Sequence, residues 1–209
     1  MRLKKVYPRI GILALMQGLY DESQPDIPAD QTAFIQGVIK RLDGTAEYVF
    51  PGLAKERSQI EKYVRDFQMA DLDGIMIVNV MYSPGLKLVQ AFKRNHLPVL
   101  VANIQPLPEV EPYWNWHYLT TNQGIHGAQD TAGTLLRLGC HPAVITEDWK
   151  SEAFVSFVRD WALASAAVRA LSHTRAACME KMKNMGDILG DEFAFFKTFG
   201  MELLHEGIG

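Results

Sequence analysis

The sequence has few of the features that mark specialised protein classes. It holds two cysteines, Cys140 and Cys178, which are too few for a disulfide scaffold, and their spacing fits no zinc motif. They indicate a reducing, cytoplasmic setting. No apolar run approaches the roughly 20 residues of a membrane span, and the run at 10–16 is too short for a signal-peptide core. We therefore expect a soluble, cytoplasmic protein with no membrane partner.

An excess of charge of one sign is also lacking. The formal net charge is −3 over 209 residues and the sequence pI is about 6.1. There is no basic stripe of the kind that nucleic-acid-binding domains carry, so we expect no nucleic-acid partner. The loop after the first apolar segment has one glycine, Gly18, where a dinucleotide fingerprint needs three, and no phosphate-binding loop is present.

What the sequence does contain is a regular alternation of short apolar segments with longer amphipathic ones. This alternation predicts a parallel sheet with helices on both faces, that is, a doubly wound α/β fold of flavodoxin- or Rossmann-like type. The predicted strands are 10–15, 47–50, 74–78, 98–102 and 143–146. The predicted helices are 30–42, 54–69, 83–95, 121–138 and 151–171, and an ordered loop is predicted at 105–118.

The pattern changes near residue 174. Beyond it we predict a strand at 176–179, a short aromatic-rich helix at 192–199 and a strand at 202–204. The sequence therefore predicts an amino-terminal α/β domain at 1–173 and a partial second α/β domain at 174–209.

Ligands of open parallel sheets bind beyond the carboxyl ends of the strands. This rule selects 16–20, 79–83, 103–105 and 147–149 as candidate binding segments. The first of them carries Gln17 and Tyr20 directly after the first strand. An ordinary loop with a packed aromatic side chain is an equally good interpretation of these two residues.

A further candidate is the segment 122–127, Asn-Gln-Gly-Ile-His-Gly, where a predicted loop becomes a helix with outward-pointing N–H groups. The amides of Asn122 and Gln123 both donate and accept hydrogen bonds, which suits hydroxyl-rich ligands. One helical turn separates Asn122 from His126, so we predict that they share a face. A helix cap beside a surface histidine is the alternative, and it stays open.

Two acids near the carboxyl end form a third candidate. Asp187, in Met185-Gly186-Asp187, lies four residues before Asp191. Such a pair could contact a metal or a sugar, or it could cap a turn and a helix start.

Two of these segments together resemble the L-arabinose isomerase family of the L-fucose/L-arabinose isomerase superfamily. Gln17-Gly18-Leu19-Tyr20 is similar to the family's Gln-x-Leu-Tyr segment after the first strand. The segment 122–127 is similar to its Asn-Gln-x-x-His-Gly segment, at nearly the same distance downstream. Tyr82-Ser83-Pro84 and Met185-Gly186-Asp187 are weaker likenesses to two of its turns.

The resemblance implies an aldose-ketose isomerase that uses a divalent metal, usually Mn²⁺, and carboxylates that move a proton through an enediol. It implies that Gln17, Leu19, Tyr20, Gln123 and His126 contact a pentose or hexose bound in a neighbouring subunit of a homo-trimer or homo-hexamer. Their role would be orientation and closure against water.

The chain also departs from that family, whose members are more than twice as long and carry their metal ligands, two glutamates and two histidines, in later domains. None of the six histidines here matches a family ligand. The resemblance therefore implies no catalytic and no metal-binding residue in this chain. Residues 174–209 would be the beginning of a truncated central domain, and the chain alone is expected to be inactive. The alternative is a non-catalytic sugar-binding or assembly module of flavodoxin-like fold.

Overall fold

The central sheet of the protein is parallel throughout, as the alternating sequence pattern predicts. The computed structural model describes residues 7–179 and 190–207. Its strands are β1 (Arg9–Leu15), β2 (Glu47–Val49), β3 (Leu53–Ala54), β4 (Gly74–Asn79), β5 (Val99–Asn103), β6 (Ala143–Thr146), β7 (Arg175–Met179) and β8 (Glu202–Glu206). Its helices are α1 (Ile27–Arg41), α2 (Arg57–Met69), α3 (Val89–Phe92), α4 (Trp116–Thr121), α5 (Gly124–Arg137), α6 (Glu152–Ser172) and α7 (Glu192–Phe199).

The strand order in this sheet is β2-β1-β4-β5-β6, with β3 also paired to β1. Strand β4 pairs with residues 10–15 of β1 on one side, so β2 and β3 share the other side. They form one edge strand, interrupted where Pro51 lacks an N–H donor and Gly52 has a φ of +122°. With the interruption ignored, the order is the flavodoxin-like 2-1-3-4-5, which confirms the predicted fold class.

Alternate residues of the central strands face two separate apolar layers. On β1, Ile10 and Ile12 join the layer under α1 and α6, whereas Leu13 and Leu15 join the layer under α2, α3 and α5. These four side chains are fully buried, and burying one such side chain contributes about 1.5–3 kcal/mol. The continuous apolar character of β1 and β4 follows from this double covering.

Strand β6 differs from the prediction of a strand covered on both faces. Ala143 and Ile145 pack toward α6, but Val144 on the opposite face is half exposed and Thr146 is exposed. The reason is its position, because β6 is the edge of the sheet and α5 lies over the neighbouring strands β4 and β5.

Three predicted helices are shorter than their patterns indicated. The predicted helix 54–69 begins at Arg57, because Leu53–Ala54 pairs with β1 as strand β3. The segment 83–95 forms a 3₁₀ turn at Gly85–Lys87 and the single helical turn α3, because the Gly85 N–H donates to the Asp130 carboxylate of α5. The predicted helix from Thr121 begins at Gly124, since α4 ends at Thr121 and Asn122 lies between them. Helix α4 itself replaces the end of the predicted loop, and its cap is Asn115, whose side chain accepts from the His117 N–H.

Beyond α6, β7 and β8 form a separate two-stranded parallel sheet connected through α7. No residue of α7 is buried. Asp191 caps α7 by accepting from the Ala194 N–H at 3.1 Å, so the capping interpretation of this acid is confirmed. Met185-Gly186-Asp187 lies outside the described residues. The division into domains 1–173 and 174–209 stays a prediction.

Candidate functional site

The carboxyl edge of the sheet contains the point where the strand order reverses. From β1 the chain leads to β2 on one side, whereas from β4 it leads to β5 and β6 on the other. The loops after β1 and β4, residues 16–20 and 80–83, therefore flank a topological switch point, the usual ligand position in open α/β sheets. The two loops are tied together, because the Val80 N–H donates to the Leu15 carbonyl at 3.0 Å.

The loop after β1 holds three of the five residues that the resemblance assigns to sugar contact. Gly18–Tyr20 forms a 3₁₀ turn. Leu19 is 71% exposed, and Tyr20 packs against the apolar layer under α1. Among the described residues, the partly buried Gln17 side chain makes no hydrogen bond. Gln17 and Leu19 are thus free for a ligand, whereas part of the Tyr20 ring supports the fold.

The start of α5 lies against the end of β4, and glycine makes this approach possible. A Cβ on Gly124 would collide with the backbone carbonyl oxygen of Asn79, and one on Gly127 would lie 2.6 Å from the Asn79 Nδ2. Asn79 pairs with Leu15 of β1. The close contact therefore holds Gln123 at the same edge of the sheet as the loop after β1.

The other face of α5 carries His126. The buried residues of this helix include Gly124, Gly127 and Thr131, which face the sheet. At about 100° per residue, His126 lies on the opposite side, and it is exposed. Among the described residues neither His126 nor Gln123 makes a side-chain hydrogen bond. His126 is therefore accessible, and it faces away from the sheet of its own chain.

Asn122 does not share this role. Its Oδ1 accepts from the Leu107 N–H at 2.8 Å, and its Nδ2 donates to the Tyr118 carbonyl at 2.8 Å. The prediction that Asn122 and His126 lie one turn apart on one helical face is wrong, because Asn122 precedes α5. Its amide fastens the segment 105–107 to α4, so its part in the motif is structural.

Buried asparagines end the neighbouring strands β4 and β5. The sequence pattern indicated the segments that contain them but not these two side chains. Asn103 of β5 donates to the Thr146 hydroxyl at 3.1 Å and accepts from the Gln105 amide at 2.8 Å. Asn79 of β4 is 2% exposed and neither atom of its amide has a partner. A polar residue at the same end of two neighbouring apolar strands is the signal that would have singled them out.

Charged side chains join three loops of the same edge. The Lys55 ammonium, after β3, contacts the Asp21 carboxylate at 2.5 Å. The Lys87 ammonium, after β4, donates to the Lys55 carbonyl at 2.5 Å and lies 3.5 Å from the Glu56 carboxylate. Both lysines are largely covered, so these contacts hold the loop after β1 against its neighbours.

Beside these segments lies a cleft of about 220 Å³ between the start of α1, helix α4 and the segment 106–107. Its lining combines apolar walls with an acid, an imidazole and two amides, and none of the five residues assigned by the resemblance lines it. The lining residues are Asp30, Gln31, Pro106, Leu107, His117, Tyr118, Thr121 and Asn122.

In residues 7–179 and 190–207, a metal site would need several ligand side chains close together. There, no three His, Cys, Asp or Glu side chains lie close enough together to hold a metal ion. The resemblance places the Mn²⁺ ligands in regions other than this one, and that expectation stays a prediction, so no chemical step is derived through a metal. Among the same residues, no helix is long and apolar enough to cross a membrane.

Comparison with known proteins does not show a family. No family model and no curated protein matches this chain. Among solved structures, the crystal structure of a galactofuranose binding protein aligns with 96% of this chain and 75% of that chain, at 11% identity and a TM-score of 0.24. A likeness at this level carries no argument about fold or ligand. The fold class is given by the strand order and helix placement described above.

Proposed function

We propose that this chain is the sugar-contacting amino-terminal part of a metal-dependent aldose-ketose isomerase similar to L-arabinose isomerases. In this proposal it closes the active site of a neighbouring subunit. One observation carries the proposal. Both segments that resemble the family lie at the carboxyl edge of the sheet, and their Gln17, Gln123 and His126 side chains have no hydrogen-bond partner among the described residues.

The chemistry of these side chains suits a sugar. Each glutamine amide offers two donors and an acceptor, so it can bind a hydroxyl in either sense, and a neutral imidazole offers one of each. Leu19 would cover an apolar face of the ring and exclude water. The contribution of this chain would be orientation of the sugar, because holding a substrate in a reactive geometry lowers the entropic part of the barrier.

A shared site requires assembly, and we propose a homo-trimer or homo-hexamer. Exposed apolar side chains before and within α4 support this part of the proposal. They are Val110, Tyr113, Trp116 and Leu119, each at least half exposed. Aromatic residues are enriched at protein interfaces. The exposed position of His126, facing away from its own sheet, also suits contact with a ligand held by another subunit.

The divalent metal of the family would polarise the sugar oxygens if a neighbouring region supplied its ligands. We expect no isomerisation by this chain alone. The alternative is a non-catalytic module of flavodoxin-like fold that binds a sugar or serves only in assembly. The same exposed aromatic residues favour the assembly function over sugar binding.

The test combines calorimetry with a turnover assay. The purified chain is titrated with L-arabinose, D-galactose and L-fucose, and ketose formation is followed with Mn²⁺ present. We expect sugar binding without ketose formation. Gln123→Ala or His126→Ala should each raise the Kd for the sugar by up to about tenfold, because each removes one hydrogen bond. Gln129→Ala, an exposed position further along α5, should bind as the wild type does.

Two outcomes would contradict the proposal. Ketose formation by the isolated chain would show that the chemistry does not depend on residues outside it. A clean monomer in sedimentation at high concentration, with binding unaffected by the His126 variant, would rule out a site shared between subunits.

A further inference from the structure

The cleft beside the resemblance segments has the properties of a binding site in its own right. It lies where α1 begins, α4 ends and the segment 105–107 passes between them. Its volume of about 220 Å³ is below the roughly 300 Å³ at which ordinary ligand pockets begin, so the cleft suits one small ring.

One residue that lines the cleft, Gln31, carries a hydrogen-bond acceptor that the fold leaves unused. Gln31 is fully buried. Its Nε2 donates to the Thr121 carbonyl at 2.9 Å, which fixes the orientation of the amide. Its Oε1 has no partner. Because burial removes this oxygen from water, leaving it unpaired is unfavourable, and a donor from a ligand would relieve that cost.

The rim adds a second acceptor. The Asp30 carboxylate lies 3.3 Å from the His117 Nε2, and both side chains are about half exposed. No Lys or Arg is among the lining residues, and the amide of Asn122 is occupied by backbone groups. The cleft thus holds a carboxylate and an unpaired amide oxygen with no cationic Lys or Arg side chain, which disfavours phosphates and other anions.

The walls decide what else the ligand must be. Pro106, Leu107 and the Tyr118 ring are apolar surfaces, and Trp114 stacks on Tyr118 with ring centroids 6.3 Å apart. A ligand therefore needs an apolar face together with several hydrogen-bond donors. A ring that bears hydroxyls at its edge and C–H groups on its face meets both requirements. Hydroxyls donate hydrogen bonds while neutral, so the ligand need not be charged.

We propose that this cleft binds one neutral hydroxylated ring, a monosaccharide or cyclic polyol. Its hydroxyls donate to the Asp30 carboxylate and the Gln31 Oε1, and its C–H face packs on Leu107 and Tyr118. Because Gln31 is fully buried, its contact forms as the wall side chains shift on ligand entry. The proposal uses none of the residues that carry the family resemblance, so it goes beyond the proposed function and can fail separately.

The experiment is a titration of the full chain with L-arabinose, D-galactose and myo-inositol, followed by calorimetry and saturation-transfer NMR. We expect one ring to bind in the cleft of each chain. Asp30→Asn should weaken binding about tenfold, since a hydrogen bond to a charged acceptor becomes one to a neutral acceptor. The matched control is Asp26→Asn, just before the same helix, which is exposed, makes no side-chain cap and lies outside the cleft.

Two further arms keep the result decisive. Cyclohexanol has the ring without the full set of hydroxyls, and it should not displace the sugar. Equal displacement would overturn the proposal, because the cleft would then select only for apolar surface. Absence of binding by any of the three probes, or unchanged binding by Asp30→Asn, would also overturn it.

The outcome separates this cleft from the site of the proposed function. Binding that depends on Asp30 and is unchanged by His126→Ala supports the cleft and not the resemblance site. Binding that depends on His126 and is unchanged by Asp30→Asn overturns the cleft proposal while supporting the proposed function.

Discussion

Gly124→Ala should destabilise the fold, although alanine is normally the better helix former. Gly124 is the first residue of α5, and the Asn79 carbonyl of β4 occupies the space that a Cβ would need. That oxygen belongs to the backbone of a fully buried central strand, so it cannot rotate away as a side chain would. The helix must therefore shift outward from the sheet.

The magnitude follows from comparison with a second glycine of the same helix. At Gly133, a Cβ would meet no atom within 4 Å, so alanine should stabilise the fold by up to about 1 kcal/mol through helix propensity. At Gly124, overpacking costs about 1–3 kcal/mol, and the rigid neighbour favours the upper end. For a chain of this size 1 kcal/mol corresponds to about 2–4 °C in Tm. We expect a loss of about 6–12 °C for Gly124→Ala and a gain of a few degrees for Gly133→Ala.

The assay is thermal and urea denaturation of the two variants beside the wild type. Because the shift of α5 also moves Gln123 and His126, any sugar binding that depends on them should weaken in Gly124→Ala and stay unchanged in Gly133→Ala. Equal stability of the two variants would refute the close approach of α5 to β4 on which the described site depends.

Two further predictions concern stability away from the carboxyl edge. Burial, more than any other effect, raises the pKa of Tyr48 to about 12 from 10. The contribution of the neutral side chain to the free energy of unfolding is thus full below about pH 10. It falls by about 2–3 kcal/mol as the pH rises to about 12, at 1.36 kcal/mol per pKa unit. Denaturation of wild type and Tyr48→Phe at about pH 8 and 11.5 should show this loss as a change in the difference between their free energies of unfolding, and equal pH dependence would contradict it. Arg169→Met should lower the free energy of unfolding in urea by about 2 kcal/mol, because it removes a charged partner 3.5 Å from Asp73, and both side chains are less than 15% exposed. The control Arg159→Met removes an exposed ion pair and should change this free energy by less than about 0.5 kcal/mol. A similar loss in both variants would argue against burial as the cause.

Local pattern was sufficient to predict most of the architecture. The apolar run of β1 and the helical spacing of apolar residues in α2 reflect which faces of these elements are buried against neighbouring elements. Hydrophobic periodicity depends on this burial, so the sequence pattern predicts it. The edge strand β3 was missed, because two residues between Gly52 and Lys55 carry no periodicity. Helix α4 was missed because Pro112 and two tryptophans nearby outweighed the cap at Asn115.

The site was predictable only in part. The rule about strand ends identified the segments that contain Gln17 and Asn79, since it needs only the order of strands and helices. It could not show that the Asn122 amide binds backbone groups, or that the Tyr20 ring packs on the core. Those facts depend on partners distant in the sequence, such as Leu107 for Asn122.

The sequence by itself therefore determined the fold class, the carboxyl ends of the strands at which open parallel sheets bind ligands, and the two polar segments at that edge. Local periodicity and composition contain this information. Only the tertiary structure decided which side chains are free. It showed that α5 packs closely against β4 where Gly124 contacts Asn79. It also showed a cleft lined by Gln31, whose side-chain oxygen has no hydrogen-bond partner. The physical reason is that whether a polar atom is free depends on packing between residues far apart in the chain, and no local pattern records that packing.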